Sequence, residues 1–369
     1  MIRTRLVDAV RLEDVIQIVR RTVKEQDFYL SVADLEGQLG IDESGRRRTA
    51  LADAALEALV PRVLDDFATR FGHVEGGTLA VVAMGKAGSR EMMSGSDLDL
   101  MFIYDHPETS TTSTGAREIP ASQWFVRAVQ ACIAAITAPG AEGPMYMLDM
   151  RLRPSGNKGP LAVSLRSFRR YHEQDAWTWE RMALTRARVV AGPPAFRQEV
   201  TQAIEAALRH AGAPEQVRVD ARDMRRRMLR DLPPQGPWDV KLRPGGLVEI
   251  EFIAQTLQLI HAHQPWFRRA PTTRTALAHL ARHRIIPLQD ARTLVNTERA
   301  WRAIQNILRL TVGRMQTEPL PELTAAHLLD AAAAAGLRAN DIPDLLHRMD
   351  AAAHQVRALF ERYLRPLTE

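Results

Sequence analysis

One cysteine in 369 residues, Cys132, leaves the chain no intramolecular disulfide and no cysteine-rich zinc site. Its neighbours in AVQACIAAI are apolar, which favours a buried structural thiol over a nucleophile. Long hydrophobic runs are missing too. No stretch of about 18 uncharged apolar residues is present to cross a bilayer, and the opening MIRTRLVDAVRLEDV interleaves charge where a signal peptide needs an unbroken apolar region. A cytoplasmic protein with no membrane partner is expected. Nor is there a large charge of one sign: the formal net charge is only +5, with arginine in local runs such as Arg46-Arg47-Arg48 and Arg225-Arg226-Arg227. Such runs suit phosphates of nucleic acid, a few guanidiniums lining a triphosphate pocket or, most simply, solvated helix faces. What remains, 46% hydrophobic and 25% charged, is the composition of a folded globular chain long enough for two domains, not of a disordered or fibrous one.

Periodicity divides the chain. From about Val7 to Phe71, apolar residues recur every three or four positions, predicting lead-in helices over 1–70. Gly76-Gly77 then punctuates the chain, and TLAVVAMG, continuous and rich in β-branched residues, predicts a buried strand. DLDLMFIYD predicts a second strand, ASQWFVRAVQACIAAITA a helix ended by Pro139-Gly140, and MYMLDMRLRP a third strand closing at Pro154. SGNKGPLAV reads as a glycine-rich connection and SLRSFRRYHEQDAWTWERMALTRAR as one more helical stretch. Strand, strand, helix, strand describes a small mixed α/β unit over 71–195. Past Pro193-Pro194 the pattern is almost wholly helical, so 205–369 is expected to be an α-helical bundle. The fold class is therefore α+β and mostly helical.

The chemistry gathers around GKAGSREMMSGSDLDL. Residues two apart on a strand share a face, which puts Asp97 and Asp99 together, with Leu98, Leu100 and Phe102 behind them. Paired carboxylates repel unless a cation compensates, and oxygen-only ligation with substrate phosphates completing the shell suits magnesium. An isolated D-x-D also fits two aspartates facing water at a strand end. The third strand changes the balance, because alternation in MYMLDMRLRP puts Asp149, Arg151 and Arg153 on one face. Beside the D-x-D strand this would bring three carboxylates together with two guanidiniums. Nucleotidyl transfer asks for that set: metals bridging phosphates, a carboxylate near the attacking hydroxyl, and cations for the leaving pyrophosphate. Upstream, Gly85 and Gly88 allow close backbone approach to a ligand, and the amides and hydroxyl around Ser89 suit phosphate oxygens. It is not a Walker loop, which would need glycine at Ala80 and Ser or Thr at Ala87.

A Gly-Ser pair, a short spacer, Asp-x-Asp and a third aspartate on a later strand resemble the DNA polymerase β-like nucleotidyltransferase superfamily. Four longer motifs, GKAGSREMMSGSDLDLMFIYD, DMRLRPSGNKGPL, AWTWERMALTRARVVAG and PGGLVEIEFIAQ, resemble the glutamine synthetase adenylyltransferase family in order and spacing, over roughly Asp27 to Leu364. The resemblance implies a nucleotidyltransferase acting with ATP and two Mg2+ ions, with Mn2+ as an alternative, on a tyrosine of glutamine synthetase. It implies metal binding by Asp97, Asp99 and Asp149, activation of the tyrosine hydroxyl by Asp149, and triphosphate binding by Gly88 and Ser89 with Lys86 in the same loop. Arg151 and Arg153 are assigned to phosphates from strand geometry instead. Glutamine and a PII signalling protein are implied effectors, and nucleic acid is disfavoured. Members usually carry two such modules in one long chain; this one resembles the C-terminal, adenylylating copy. Ala87 departs from the family's usual leucine.

Three functions stand side by side: adenylylation releasing pyrophosphate, phosphorolytic deadenylylation giving ADP, and a non-catalytic regulatory module. In LVEIEFIAQTLQLI, helix spacing predicts a buried stripe of Leu247, Ile250, Ala254 and Leu257. Glu251 and Gln255 share another face, either near the cleft or solvated. His261 and His263 diverge by about 200 degrees on a helix and cannot form the i,i+4 pair of a zinc helix. Trp177 and Trp179 are expected to pack helix against sheet.

Overall fold

The computed structural model describes residues 1–313 and 320–365. It opens with helices α1 (Ile2–Arg5), α2 (Leu12–Leu35) and α3 (Ile41–Phe71). Val15, Val19 and Val23 of α2 are buried, as are Leu56, Leu59 and Val63 of α3, so spacings of three and four residues do define the packed faces. The short helix α4 (Gly85–Gly88) lies between strands β1 (Thr78–Ala83) and β2 (Leu98–Asp105), which pair antiparallel. Helix α5 (Ala121–Thr137) follows, and then β3 (Leu148–Asp149) and β4 (Ala162–Ser164). Both run parallel to β2, one after the other along the same edge. Strand β5 (Arg188–Ala191) closes the other side against β1.

Alternation sorts the sheet's two faces. Leu79, Val81, Leu98, Leu100, Phe102 and Tyr104 share one core with α3 and α5. Ala80, Val82, Met84, Met101 and Ile103 point to the opposite core. Burial on both faces is why these strands read as continuous apolar runs and not as polar-apolar alternation.

Four expectations needed correction. The third strand does not reach Pro154: only Leu148 and Asp149 pair, and the chain then turns, because the Arg151 amide donates to the Asp149 carboxylate at 2.8 Å and Ser155 adopts a left-handed φ of 61°. After a 3₁₀ turn at Gly156–Lys158, the segment expected as a connection returns to the sheet as β4. The long helix before residue 188 is in fact α6 (Leu165–Gln174) and α7 (Thr178–Leu184), and its last residues pass into β5. Glu180 marks the break by accepting from the Trp177 amide at 2.8 Å. Trp177 is exposed at that break, so it does not pack helix against sheet.

Helix α8 (Pro194–Arg209) spans the expected gap between the 71–195 and 205–369 units, and its Phe196, Val200 and Ile204 join the sheet to the bundle in one core. The bundle comprises α9 (Pro214–Asp231), α10 (Leu247–Ile260), α11 (Thr273–Arg282), α12 (Leu288–Thr311), α13 (Glu322–Ala334) and α14 (Ile342–Leu364). Leu247, Ile250, Ala254 and Leu257 are buried as expected, but α10 is enclosed almost all round as the bundle's central helix.

Candidate active site

The register of β2 with β3 sets Asp99 directly beside Asp149, one step after Leu98 beside Leu148. Leu98 is fully buried in the sheet core, which anchors the strand end and leaves Asp99 half-buried above it. Asp97 precedes β2 and is exposed. Burial raises the Asp99 carboxyl to about 6, and the charges of Asp149 and Asp97 add to the rise, while Arg186 and Lys241 oppose it. Asp149 moves the other way: Arg151 holds it below the ordinary carboxylate range, with Nε 2.9 Å from Oδ2 and 3.0 Å from Oδ1. Among the described residues no three His, Cys, Asp or Glu side chains already stand in metal-holding geometry.

The two arginines assigned to phosphates part company. Arg151 is an exposed partner of Asp149. Arg153 is only 6% exposed, and its guanidinium donates to the carbonyls of Met150 at 2.7 Å, Gly159 and Pro160. Because β3 stops at Asp149, alternation no longer governs residue 153, and Arg153 ties together the base of the loop between β3 and β4.

The glycine-rich segment is a helical turn. Gly85 has φ 51°, and a Cβ there would fall inside the Asp99 carboxylate. Only glycine lets the turn rest on that side chain. A Cβ at Gly88 would strike the Arg186 and Ala83 carbonyls, so this glycine serves packing. The amides of Gly88 and Ser89 donate to Met84 and Gly85 carbonyls at 2.8 and 3.1 Å. Ser89 is fully buried, and its hydroxyl donates to the Lys86 carbonyl at 3.3 Å. The phosphate donors expected of Gly88 and Ser89 are thus satisfied within the turn. Lys86 points toward the bundle, where Nζ donates to Gln305 Oε1 at 3.2 Å. Burial pushes its ammonium well below the usual lysine range, and Arg309, Lys241 and Arg302 push the same way, against Glu251.

Sequence patterns missed the charges beneath the turn. Arg186 is buried between Glu91, to which it is ion-paired, and Glu251, 3.1 Å away. Glu91 also accepts from the Thr273 amide at 3.0 Å. Turn, sheet and bundle therefore meet at one buried ion cluster, and Glu251 belongs to it instead of facing solvent with Gln255. A second cluster joins Glu298 and Arg302 of α12 to Arg274 and Asp42. Nothing in REMM or TRARVV distinguishes a buried ion pair from a solvated one, since partner identity depends on contacts nearly a hundred residues apart. Cys132 is buried and its thiol is raised to about 12 by burial, as expected of a structural cysteine. His261 caps α10 and His263 bonds Gln264, so they share no ligand set.

The family model for glutamate-ammonia ligase adenylyltransferase matches residues 1–203, the stretch that carries the whole sheet and all three aspartates. The chain belongs to this family. Across nearly its whole length it is similar to curated members named bifunctional glutamine synthetase adenylyltransferase/adenylyl-removing enzyme. That of Rhodopseudomonas palustris is 36% identical over 362 residues, covering 97% of this chain and 36% of the relative. That of Agrobacterium fabrum is 37% identical over 365 residues, covering 96% and 36%. That of Caulobacter vibrioides is 42% identical over 299 residues, covering 81% and 30%. The chain thus spans about a third of the length of these adenylyltransferase-family relatives. A second family model, GlnD PII-uridylyltransferase, matches 216–364, which is the bundle. No helix among the described residues is long and apolar enough to cross a membrane.

Proposed function

We propose that this family member transfers AMP from ATP to a tyrosine of glutamine synthetase in the cytoplasm, releasing pyrophosphate. The observation that carries the proposal is the Asp99–Asp149 register, with Asp97 two residues before Asp99 and a group of cations on the bundle side. Like charges gathered in this way cost free energy at both poles, and a divalent cation with a polyphosphate relieves both at once. The donors are all oxygen, as Mg2+ prefers. Asp97 and Asp99 would hold the metal ions, and Asp149 would join them. Asp149 and Arg151 are each other's counter-ions here, and a metal–triphosphate pair offers each an opposite charge. When bound, the metal ions supply charge neutralisation at the phosphates and help ionise the attacking hydroxyl.

The chain's own residues supply the rest. Asp149, kept ionised by Arg151, orients the tyrosine hydroxyl toward the α-phosphate and takes up its proton as the new bond forms. A bond forms from that oxygen to the α-phosphorus, the bond to the bridging oxygen of the β-phosphate breaks, and pyrophosphate leaves with its charge beside Arg151. The half-buried setting of Asp99 limits competing water.

The same groups serve phosphorolysis of adenylyl-tyrosine to ADP, which the relatives' two-part name supports as a second reading. The match of 216–364 to a PII-uridylyltransferase model supports a PII protein as a partner of the bundle, with glutamine as the accompanying effector. Labelled ATP, Mg2+ and glutamine synthetase incubated with the protein should give labelled synthetase, and Asp97→Asn or Asp99→Asn should abolish the label. Phosphate-dependent release of ADP from adenylylated synthetase, without forward labelling, would select the reverse sense. Magnesium-dependent ATP binding without turnover in either sense would leave a regulatory module.

A further inference from the structure

A cavity of about 290 Å³ lies between the lead-in helices and the loop that carries Asp97, and Asp97 itself is part of its lining. Val23 of α2 and Leu51 of α3 form one wall, and Met92, Met93, Met145 and Met147 form the others. Methionine gives a pocket soft, polarizable walls that suit an aromatic ring. Among the described residues that line it, none belongs to the bundle or to the turn Gly85–Gly88, so the cavity is separate from the cations on the bundle side. Its backbone frame is shared with the carboxylates. The Leu98 amide donates to the Met147 carbonyl at 2.9 Å, just ahead of the Asp99–Asp149 pair, and the Met93 amide donates to Ser96 Oγ at 2.9 Å, closing the loop before Asp97.

The lining also holds polar groups that lack partners. Arg48 is 2% exposed; its Nη2 donates to Asp34 at 2.9 Å and to Ser31 at 3.2 Å, and its Nη1 is ion-paired with Asp27, but its Nε is buried without a hydrogen bond. The Tyr146 hydroxyl makes no hydrogen bond among the described residues. Buried polar groups are ordinarily satisfied, and an incoming peptide can supply what is missing here. The mouth is apolar as well. Met147 is 58% exposed, and on α2 the exposed Phe28, Tyr29 and Val32 begin one helical turn beyond Lys24, which lines the cavity. Grouped exposed apolar side chains mark contact with a protein surface, which a free nucleotide would not cover.

We propose that this cavity is the acceptor pocket: it takes the ring of a tyrosine carried on a surface segment of the protein substrate, while the 28–32 face of α2 takes the residues flanking that tyrosine. Asp97 in the lining and Asp149 two residues past Met147 bring the hydroxyl among the carboxylates while the ring stays against the methionines. Arg48 Nε and the Tyr146 hydroxyl meet polar atoms of the inserted segment. The inference rests on the adenylyl-transfer reading above and deepens it by giving the protein substrate its place on the lead-in helices.

Initial rates of synthetase labelling at varied synthetase concentration, together with equilibrium binding of ATP and Mg2+, test this in wild type, Met147→Ala, the double variant Phe28→Ser with Tyr29→Ser, and Leu323→Ser. Met147→Ala and the double variant should each raise KM for the synthetase by about tenfold, the loss expected for a large apolar contact at an interface, and leave ATP binding unchanged. Leu323 is 69% exposed on α13 and outside the cavity lining, so its variant should change neither quantity. The altered side chains are exposed, so folding should hold, and thermal melting checks it. An unchanged KM for the synthetase in either of the first two overturns the proposal, as does weakened ATP binding, which would make the cavity a nucleotide subsite. A wild type that binds ATP with Mg2+ but labels no synthetase overturns the transfer reading and this one with it, so the two failures are distinct.

Discussion

Replacing Asp99 by asparagine should make the metal-free protein more stable while abolishing its activity. The carboxyl lies half-buried beside Asp149, and burial with the nearby like charges lifts it from 3.8 to about 6. At about 1.4 kcal/mol per pKa unit, keeping it ionised in the folded chain costs about 3 kcal/mol. The folded state binds this proton more tightly than the unfolded chain does. Stability is therefore lost as pH rises from about 4 to about 6, and the cost is complete above that window. Asparagine carries no such cost, so the variant's advantage should grow by about 1.5 kcal/mol between about pH 5 and about pH 8, mostly in the lower half of that range. Urea denaturation of both proteins in chelator, at closely spaced pH values, reads the difference directly. Added Mg2+ should narrow it by stabilising the wild type alone. A pH-independent difference, or an asparagine variant less stable throughout, would refute the placement of Asp99 as a buried carboxylate facing Asp149.

Two further outcomes test the supports of the site. Glu249→Gln should destabilise the protein by about 3–5 kcal/mol, because it leaves the buried Arg225 charge without its partner. The double change with Arg225→Met should cost less than the sum of the single changes, and additivity in urea denaturation would contradict a direct pair. Gly85→Ala should cost about 1–2 kcal/mol for the left-handed φ of 51°, plus displacement of the Asp99 carboxylate. Gly95→Ala, at φ 62° with open space around it, isolates the backbone part. Equal losses in stability and activity for the two variants would remove the steric link between residue 85 and Asp99.

Much of the site was legible in one dimension. A glycine, an alternating D-x-D and a later aspartate are local patterns, and pleating is what predicts Asp97 and Asp99 on one face, although β2 begins only at Leu98. Long-range partners were not legible. Arg153 was grouped with Asp149 by an alternation that ends when β3 ends, and Ser89 was assigned to phosphate although its hydroxyl and amide close the turn itself. The buried ions Glu91, Arg186 and Glu251 gave no periodic signal because a charge's burial depends on what packs over it.

Periodicity and motif order determined that this chain would be mostly helical, with a small sheet carrying three aspartates and a bundle after it, because hydrophobic spacing reports local geometry directly. The tertiary structure alone decided that β3 and β4 would succeed one another along the edge of β2 and that Asp149 would meet Asp99 in register. It also decided that the bundle would bring Glu251 against Arg186 beneath the glycine turn. Register and ion pairing are settled by contacts between distant segments, whose free energies exist only once the chain has brought them together.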